Sequence, residues 1–146
     1  MKILRIQGKN LASIAGEFDI DFTAAPLRSA GIFAICGPTG AGKSTILDAI
    51  CLALFNNMPR TTGIEGTKMP DVGQEFIQQG DRRQILRRGT AEAMAAVEFI
   101  AVDGKSYRSV WRVWRANNKI SGKLQPAELR VYPLGDPSPI TTGISE

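Results

Sequence analysis

At 146 residues the chain is long enough for one domain with its own core, and its +4 charge permits a polyanionic partner without demanding one. It contains no histidine, which excludes His-based triads, His general bases and His metal ligands within it. Its two cysteines, Cys36 and Cys51, lack metal-ligand spacing and read as reduced core thiols, and no run approaches the roughly 20 apolar residues of a membrane span.

Residues 1–8 read as a strand, with Ile3, Leu4 and Ile6 apolar and with Lys2 and Arg5 breaking any signal-peptide core. Lys9 to Ile14 follow as a short connection. Glu17-Phe18-Asp19-Ile20-Asp21-Phe22 alternates polar and apolar, the pattern of a half-buried antiparallel strand. Thr23 to Ala30, with Pro26, is a loop. Gly31-Ile32-Phe33-Ala34-Ile35-Cys36 is an unbroken apolar run of the length and kind found in strands buried on both faces.

That run leads into Gly37-Pro38-Thr39-Gly40-Ala41-Gly42-Lys43-Ser44-Thr45, a match to G-x-x-x-x-G-K-[ST]. Behind it Ile46, Leu47, Ile50, Cys51, Leu54 and Phe55 are apolar at helical spacing, which predicts a helix over about 43–56. Strand, glycine loop and helix is the architecture a phosphate cradle needs. Gly37, Gly40 and Gly42 let the backbone turn tightly beside a ligand. The loop amides and the first turn of the helix then face an anion. Lys43, the expected catalytic residue, should reach the β- and γ-phosphates of ATP, and the Ser44 hydroxyl should ligate Mg²⁺.

Pro59 ends the helical region, and 59–80 reads as a long surface loop with a helical turn near Glu75–Gln79. Asp81 to Gly89 is a basic cluster. From 94 to 132 the chain reads as an antiparallel meander beside the nucleotide strand. Its first strand is centred on Ala95, Val97, Phe99 and Ala101; Asp103-Gly104 makes a two-residue hairpin turn. Lys105–Trp114 is the return strand, Asn117 to Gly122 a second turn, and Ala127–Tyr132 a third strand. Pro133 to Glu146 has no apolar period and reads as unstructured or cut off in mid-domain.

Lys105, Arg108, Arg112, Arg115, Lys119, Lys123 and Arg130 lie in one stretch opposed only by Glu128, with Tyr107, Trp111 and Trp114 among them. Basic and aromatic residues on a sheet are one way to bind nucleic acid. The alternative is a solvated face whose aromatics belong to the core, since Arg108 and Arg112 share a face from which Trp111 points away. Asp48, four residues after Ser44, reads as a surface or helix-packing carboxylate, with an indirect part in the magnesium site as the lesser reading. A P-loop hydrolase also needs an Asp closing a neighbouring apolar strand, with a Glu to orient water. Phe99-Ile100-Ala101-Val102-Asp103 comes nearest, but Asp103 is better explained as a turn residue. The sequence thus carries nucleotide-binding parts without visible hydrolysing parts.

Four blocks carry a family resemblance. They are Met1-Lys2-Ile3-Leu4 with Lys9-Asn10-Leu11-Ala12-Ser13; Gly16 to Phe22; Phe33 to Leu54; and Thr90-Ala91-Glu92 through Phe99 with Tyr107-Arg108. In this order they resemble the N-terminal part of the SbcC family, the bacterial SMC-like ATPases of double-strand-break repair. The resemblance implies an α/β P-loop NTPase half-domain, the N-terminal lobe of an ABC/SMC-type head, with an antiparallel β-meander. Within a single lobe spanning 1–146, residues 1–58 would hold the strands, P-loop and helix; 59–92 the long loop with its basic cluster; 93–132 the meander; and 133–146 a truncated tail.

It further implies a head completed by a C-terminal half that supplies the signature and acidic motifs, a second head closing on two ATP molecules, an SbcD-type metal-dependent nuclease subunit and double-stranded DNA. ATP with Mg²⁺ is the implied cofactor. The implied location is cytoplasmic and nucleoid-associated. The chain stops before the family's glutamine loop, so binding of ATP with little or no turnover is the expectation for it alone. Ser13 stands where the family's nucleotide contact near Lys9–Ser13 would be, although Ala12 lacks the longer polar side chain of some relatives.

The rivals fit less well. An ABC-type transporter ATPase would use Gln84 as its glutamine loop and should show a signature soon after. A GTPase needs Asn-Lys-x-Asp, and Asn118-Lys119-Ile120-Ser121 lacks the Asp. A small-molecule kinase would place helices and lid arginines where the meander lies. A DNA-binding or assembly module without its own catalysis would rest on the basic sheet alone.

Overall fold

A computed structural model describes residues 1–64 and 66–140. Five strands form one antiparallel sheet: β1 Lys2–Leu11, β2 Ile14–Asp21, β5 Glu92–Ile100, β6 Ser106–Trp114 and β7 Glu128–Pro133, in the order β2-β1-β5-β6-β7. A short hairpin, β3 Lys68–Pro70 and β4 Phe76–Gln78, stands apart. The helix α1, Lys43–Phe55, packs on one face of the large sheet against β1, β5 and β6. The architecture is α/β with an antiparallel sheet, as expected.

Period-two alternation divides the sheet into two chemically different faces. Toward α1 point Ala93, Ala95 and Val97 of β5, Trp111 and Val113 of β6 and Leu129 of β7, all buried in one cluster with Ala49, Leu52 and Ala53 of the helix. Two side chains of β6 also grip the end of α1. The Ser109 hydroxyl donates to the Ala53 carbonyl, and Trp111 Nε1 donates to Asn56 Oδ1 at 3.0 Å. Asn56, at φ 52°, ends the helix in the left-handed conformation that Asn tolerates.

The other face is a charge lattice. Arg5 of β1 donates to both carboxylate oxygens of Asp19 on β2, at 2.8 and 2.7 Å. Lys9 reaches Glu92 at 2.8 Å, and Arg108 reaches Glu98 across the β5–β6 pair at 3.0 Å. Arg112 lies 3.6 Å from Glu92, and Arg130 pairs with Glu128. Trp111 is on the buried face, as alternation required. The expected strip of basic residues therefore exists, but carboxylates of β5 and β7 are interleaved with it. Arg115 and Lys123 pair with Asp71 and Glu75 of the separate hairpin.

Several expectations need correction. The apolar segment 31–36 is not a strand buried on both faces. It has no ladder partner among the described residues, and Ile32 is 94 % exposed. A strand exists through its inter-strand hydrogen bonds, so the composition alone could not make one. The meander consequently pairs with β1, not with this segment. The helix has the expected span, but the face it buries is Thr45, Asp48, Ala49, Leu52 and Ala53; Leu47 and Phe55 remain 56 % and 68 % exposed. The turn expected to be helical near 75–79 is strand β4.

Smaller differences follow from pairing and turn geometry. Strand β1 runs on to Leu11, so the connection to β2 shrinks to Ala12 and Ser13. The β5–β6 loop closes between Ala101 and Lys105 and so holds three residues, with Gly104 left-handed at φ 78°. Cys36 is exposed and Cys51 half-buried, both free, so neither is a core thiol. Beyond β7 the chain folds back, and the Ile140 amide donates to the Val131 carbonyl at 2.7 Å; residues 141–146 of the expected tail lie outside the described residues.

One ion pair ties the small hairpin to the sheet. Arg115, 8 % exposed, donates to Asp71 Oδ2 at 2.9 Å and Oδ1 at 2.7 Å. These bonds hold the Asp71 carboxyl below the usual carboxylate range against the opposing effect of its burial. A carboxylate with a depressed native pKa adds stability above its unfolded pKa and loses it as pH falls through the native one. Asp71→Ala, which strands a buried guanidinium, should therefore lower unfolding free energy by about 3 kcal/mol at neutral pH. In urea titrations the gap between wild type and variant should close as pH drops below roughly 4; a gap independent of pH would contradict this role.

Candidate functional site

The P-loop follows the exposed segment 31–36 and ends on α1. Lys43 is the first helical residue, with Gly42 as the N-cap at φ 95°. No side chain caps this end, so the first-turn amides of the helix keep free donor capacity and a positive dipole end. Ser44 is exposed beside them, and the next residue, Thr45, is buried against the sheet. The Lys43 ammonium donates to the carbonyls of Gly37 and Pro38, each at 2.7 Å, and so curls the loop into a ring. The Ala41 amide donates to the Pro38 carbonyl at 3.2 Å and tightens the same turn.

Gly42 has a second reason to be glycine. A Cβ there would stand 2.6 Å from Ile14 Cγ1 and 3.2 Å from Ser13 Oγ. The turn between β1 and β2 is thus packed directly against the end of the phosphate loop. This contact joins segments far apart in the chain, and no local pattern in the sequence announces it. Gly40, in contrast, has open space where its Cβ would lie, on a loop that a ligand could approach.

The expected site residues 37–45 are contiguous, and Lys43 draws the loop closed on the Gly37 and Pro38 carbonyls. Their donor set is amide N–H groups, one ammonium and one exposed hydroxyl. Such a set could hold a polyphosphate, and the Ser44 hydroxyl could serve as a ligand to a hard cation bound with it. Of the two main readings of Asp48, a surface or a helix-packing carboxylate, the structure shows the second. It is buried on the sheet-facing side of α1, with Arg60 2.7 Å away as charge partner. Burial raises its pKa, and Arg60 opposes that rise. Gln84, the candidate glutamine loop of the transporter reading, donates its amide to the Gln78 carbonyl. Asp103 accepts from the Lys105 amide and the Tyr107 hydroxyl within the hairpin turn and is not a strand-end acid. Among the described residues no three His, Cys, Asp or Glu side chains gather into a metal site, and no helix is long and apolar enough to cross a membrane.

A glycine loop closed by its own lysine at a helix N-terminus defines the class: a P-loop nucleotide-binding fold. Residues 5–132 match the model of the AAA domain family, and the chain belongs to that family. It is 53 % identical over 135 residues to the SbcC subunit of the nuclease SbcCD from Pseudomonas aeruginosa, covering 92 % of this chain and 11 % of that protein. It is likewise 53 % identical over 126 residues to the SbcC subunit of the same nuclease from Rhodobacter capsulatus, covering 86 % of this chain and 10 % of the relative. A more distant relative is the Probable DNA double-strand break repair Rad50 ATPase of Aquifex aeolicus, 33 % identical over 135 residues, covering 92 % of this chain and 11 % of that protein. The chain spans about a tenth of the length of the curated relatives it matches.

The packing at Gly42 makes a direct prediction. Gly42→Ala imposes both a left-handed φ and a clash, and should cost about 1–3 kcal/mol of stability in urea unfolding. Adding Ile14→Ala should return part of that loss, because it relieves the clash and leaves the φ penalty. A Gly42→Ala chain as stable as wild type would show that the turn does not buttress the loop.

Proposed function

We propose that this chain is the ATP-binding lobe of a DNA double-strand-break-repair ATPase of the SbcC kind. The observation that carries the reading is the P-loop itself: a ring closed by Lys43, set on an uncapped helix N-terminus, with the Ser44 hydroxyl exposed beside it. Amides of residues 37–45 and Lys43 would hold the β- and γ-phosphates, and Ser44 would ligate Mg²⁺. When bound, the ion neutralises phosphate charge and orients the terminal phosphoryl group. Lys43 would exchange the carbonyls of Gly37 and Pro38 for phosphate oxygens, a stronger, charge-assisted pairing.

In this reading the chain is one lobe of a head that a C-terminal half completes. An apolar groove of about 750 Å³ supports it, lined among others by Phe22, Phe33, Ile35, Ile46, Leu47 and Ile50. It joins the exposed flank of α1 to the segment 31–36, whose composition is that of a buried strand. An exposed apolar surface of this kind marks an interaction site. The backbone groups of 31–36, without ladder partners among the described residues, would suit added strands of the same head. The C-terminal half would bring the hydrolytic acid and signature. A second head would face the P-loop, a metal-dependent nuclease subunit would act with the pair, and double-stranded DNA would be the substrate in the cytoplasm at the nucleoid. The paired charges of the outer sheet face weigh against a DNA-binding module built on that face alone.

Lys43→Ala tests the site. It should abolish Mg-ATP binding by calorimetry while leaving the thermal melt near wild type, because Ala49, Leu52 and Ala53 still anchor α1. Unchanged affinity in that variant would refute the assignment.

A further inference from the structure

The turn that buttresses Gly42 is itself held from outside. Asn10 and Ala12 both have positive φ, 52° and 45°, a region that residues with a Cβ avoid. Two backbone hydrogen bonds from the segment after the 59–80 loop keep them there. The Ala12 amide donates to the Ile85 carbonyl at 2.7 Å and the Arg87 amide donates to the Asn10 carbonyl at 3.0 Å, which together make the antiparallel bridge between Leu11 and Leu86. One side chain completes the clamp: Arg87 Nη1 donates to the Ala12 carbonyl at 2.9 Å, in a part-buried position. On the far side of this turn Ser13 and Ile14 lie against Gly42. Arg87, Ala12, Ser13/Ile14 and Gly42 thus form a continuous path of contacts from the basic cluster to the phosphate loop.

We propose that Arg87 is a positioning residue for nucleotide binding, acting through the Ala12–Ser13 turn to hold Gly42 and the Ser13 hydroxyl in place. The proposal rests on the nucleotide-binding reading of residues 37–45. The bond it depends on is separable from the fold. The backbone contacts at Asn10, Leu11 and Ala12 would persist without the guanidinium, and Leu11, Ile85 and Leu86 are buried independently of it. What the guanidinium adds is a charged donor on the carbonyl of the residue with the least favourable φ. Without it the turn can relax toward ordinary backbone angles and draw Ser13 and Ile14 off Gly42. Misplacement of a binding group on that scale is felt mainly as faster ligand loss.

The test uses the 146-residue chain in four forms: wild type, Lys43→Ala, Arg87→Met and Arg87→Lys. Arg87→Met keeps the apolar stem and removes the donor. It should weaken Mg-ATP binding about tenfold, chiefly through faster dissociation, with a melting temperature close to wild type. Arg87→Lys retains a cationic donor and should recover most of the affinity, which a space-filling role would not require. Hydrogen exchange should quicken at Ala12 and Gly42 in the Arg87→Met chain. If wild type binds, Lys43→Ala does not and Arg87→Met binds like wild type, the Arg87 role is overturned and the site reading stands. If wild type itself fails to bind Mg-ATP, the site reading falls and the Arg87 role with it.

Discussion

The close seating of α1 on the sheet fixes everything else at the site. Ala93 and Ala95 of β5 and Ala49 and Ala53 of the helix are fully buried in one cluster, and residues this small let helix and sheet backbones approach closely. Trp111 and Ser109 then lock the C-terminal end of the helix by bonds to Asn56 and Ala53. With its far end pinned, the N-terminus of α1 can project only in one direction, carrying Lys43 and Ser44 with it. The turn at Ala12–Ser13 restrains that projecting end from below.

The two sides of α1 have different surroundings. The side facing the sheet, Thr45, Asp48, Ala49, Leu52 and Ala53, is buried, and apart from Leu52 its side chains are small or polar. The side with the larger hydrophobes stays open and continues into the groove with Phe33 and Ile35. A helix hydrophobic on most of its circumference belongs inside a larger body. The outer sheet face is the opposite case. Its arginines and lysines are matched by Asp19, Glu92, Glu98 and Glu128, and cross-strand pairs of opposite sign suit a solvated face. Exposed pairs of this kind contribute little each, so they keep the face hydrated and hold strand register more than they add stability.

What was legible in the sequence was whatever depends on local chemistry. The glycine loop, the span of α1 and all three meander strands follow from motif, period and turn residues. What was not legible depends on partners distant in the chain. The run 31–36 has strand composition, yet a strand is defined by its neighbours, and none of the described residues pairs with it. The burying face of α1 was not legible because apolar residues occupy both sides, and only packing against the sheet selects the face with Ala49, Leu52 and Ala53. The carboxylates that offset Arg108, Arg112 and Arg115 sit on β5 and in the hairpin connection, so a linear count around residues 105–130 met only Glu128. For the same reason no local pattern announced the contact of Ile14 with Gly42 or the clamp from Arg87, and only the family resemblance pointed to the Lys9–Ser13 connection.

The central claim is that this chain holds the phosphates of ATP and depends on other parts of a head to hydrolyse it. The most direct measurement is Mg-ATP binding and phosphate release by the 146-residue chain alone, across a range of protein concentration. Saturable binding with no phosphate release above the uncatalysed background is the predicted result. Brisk release, first order in the chain and lost on replacing one of its own acidic residues, would contradict the claim.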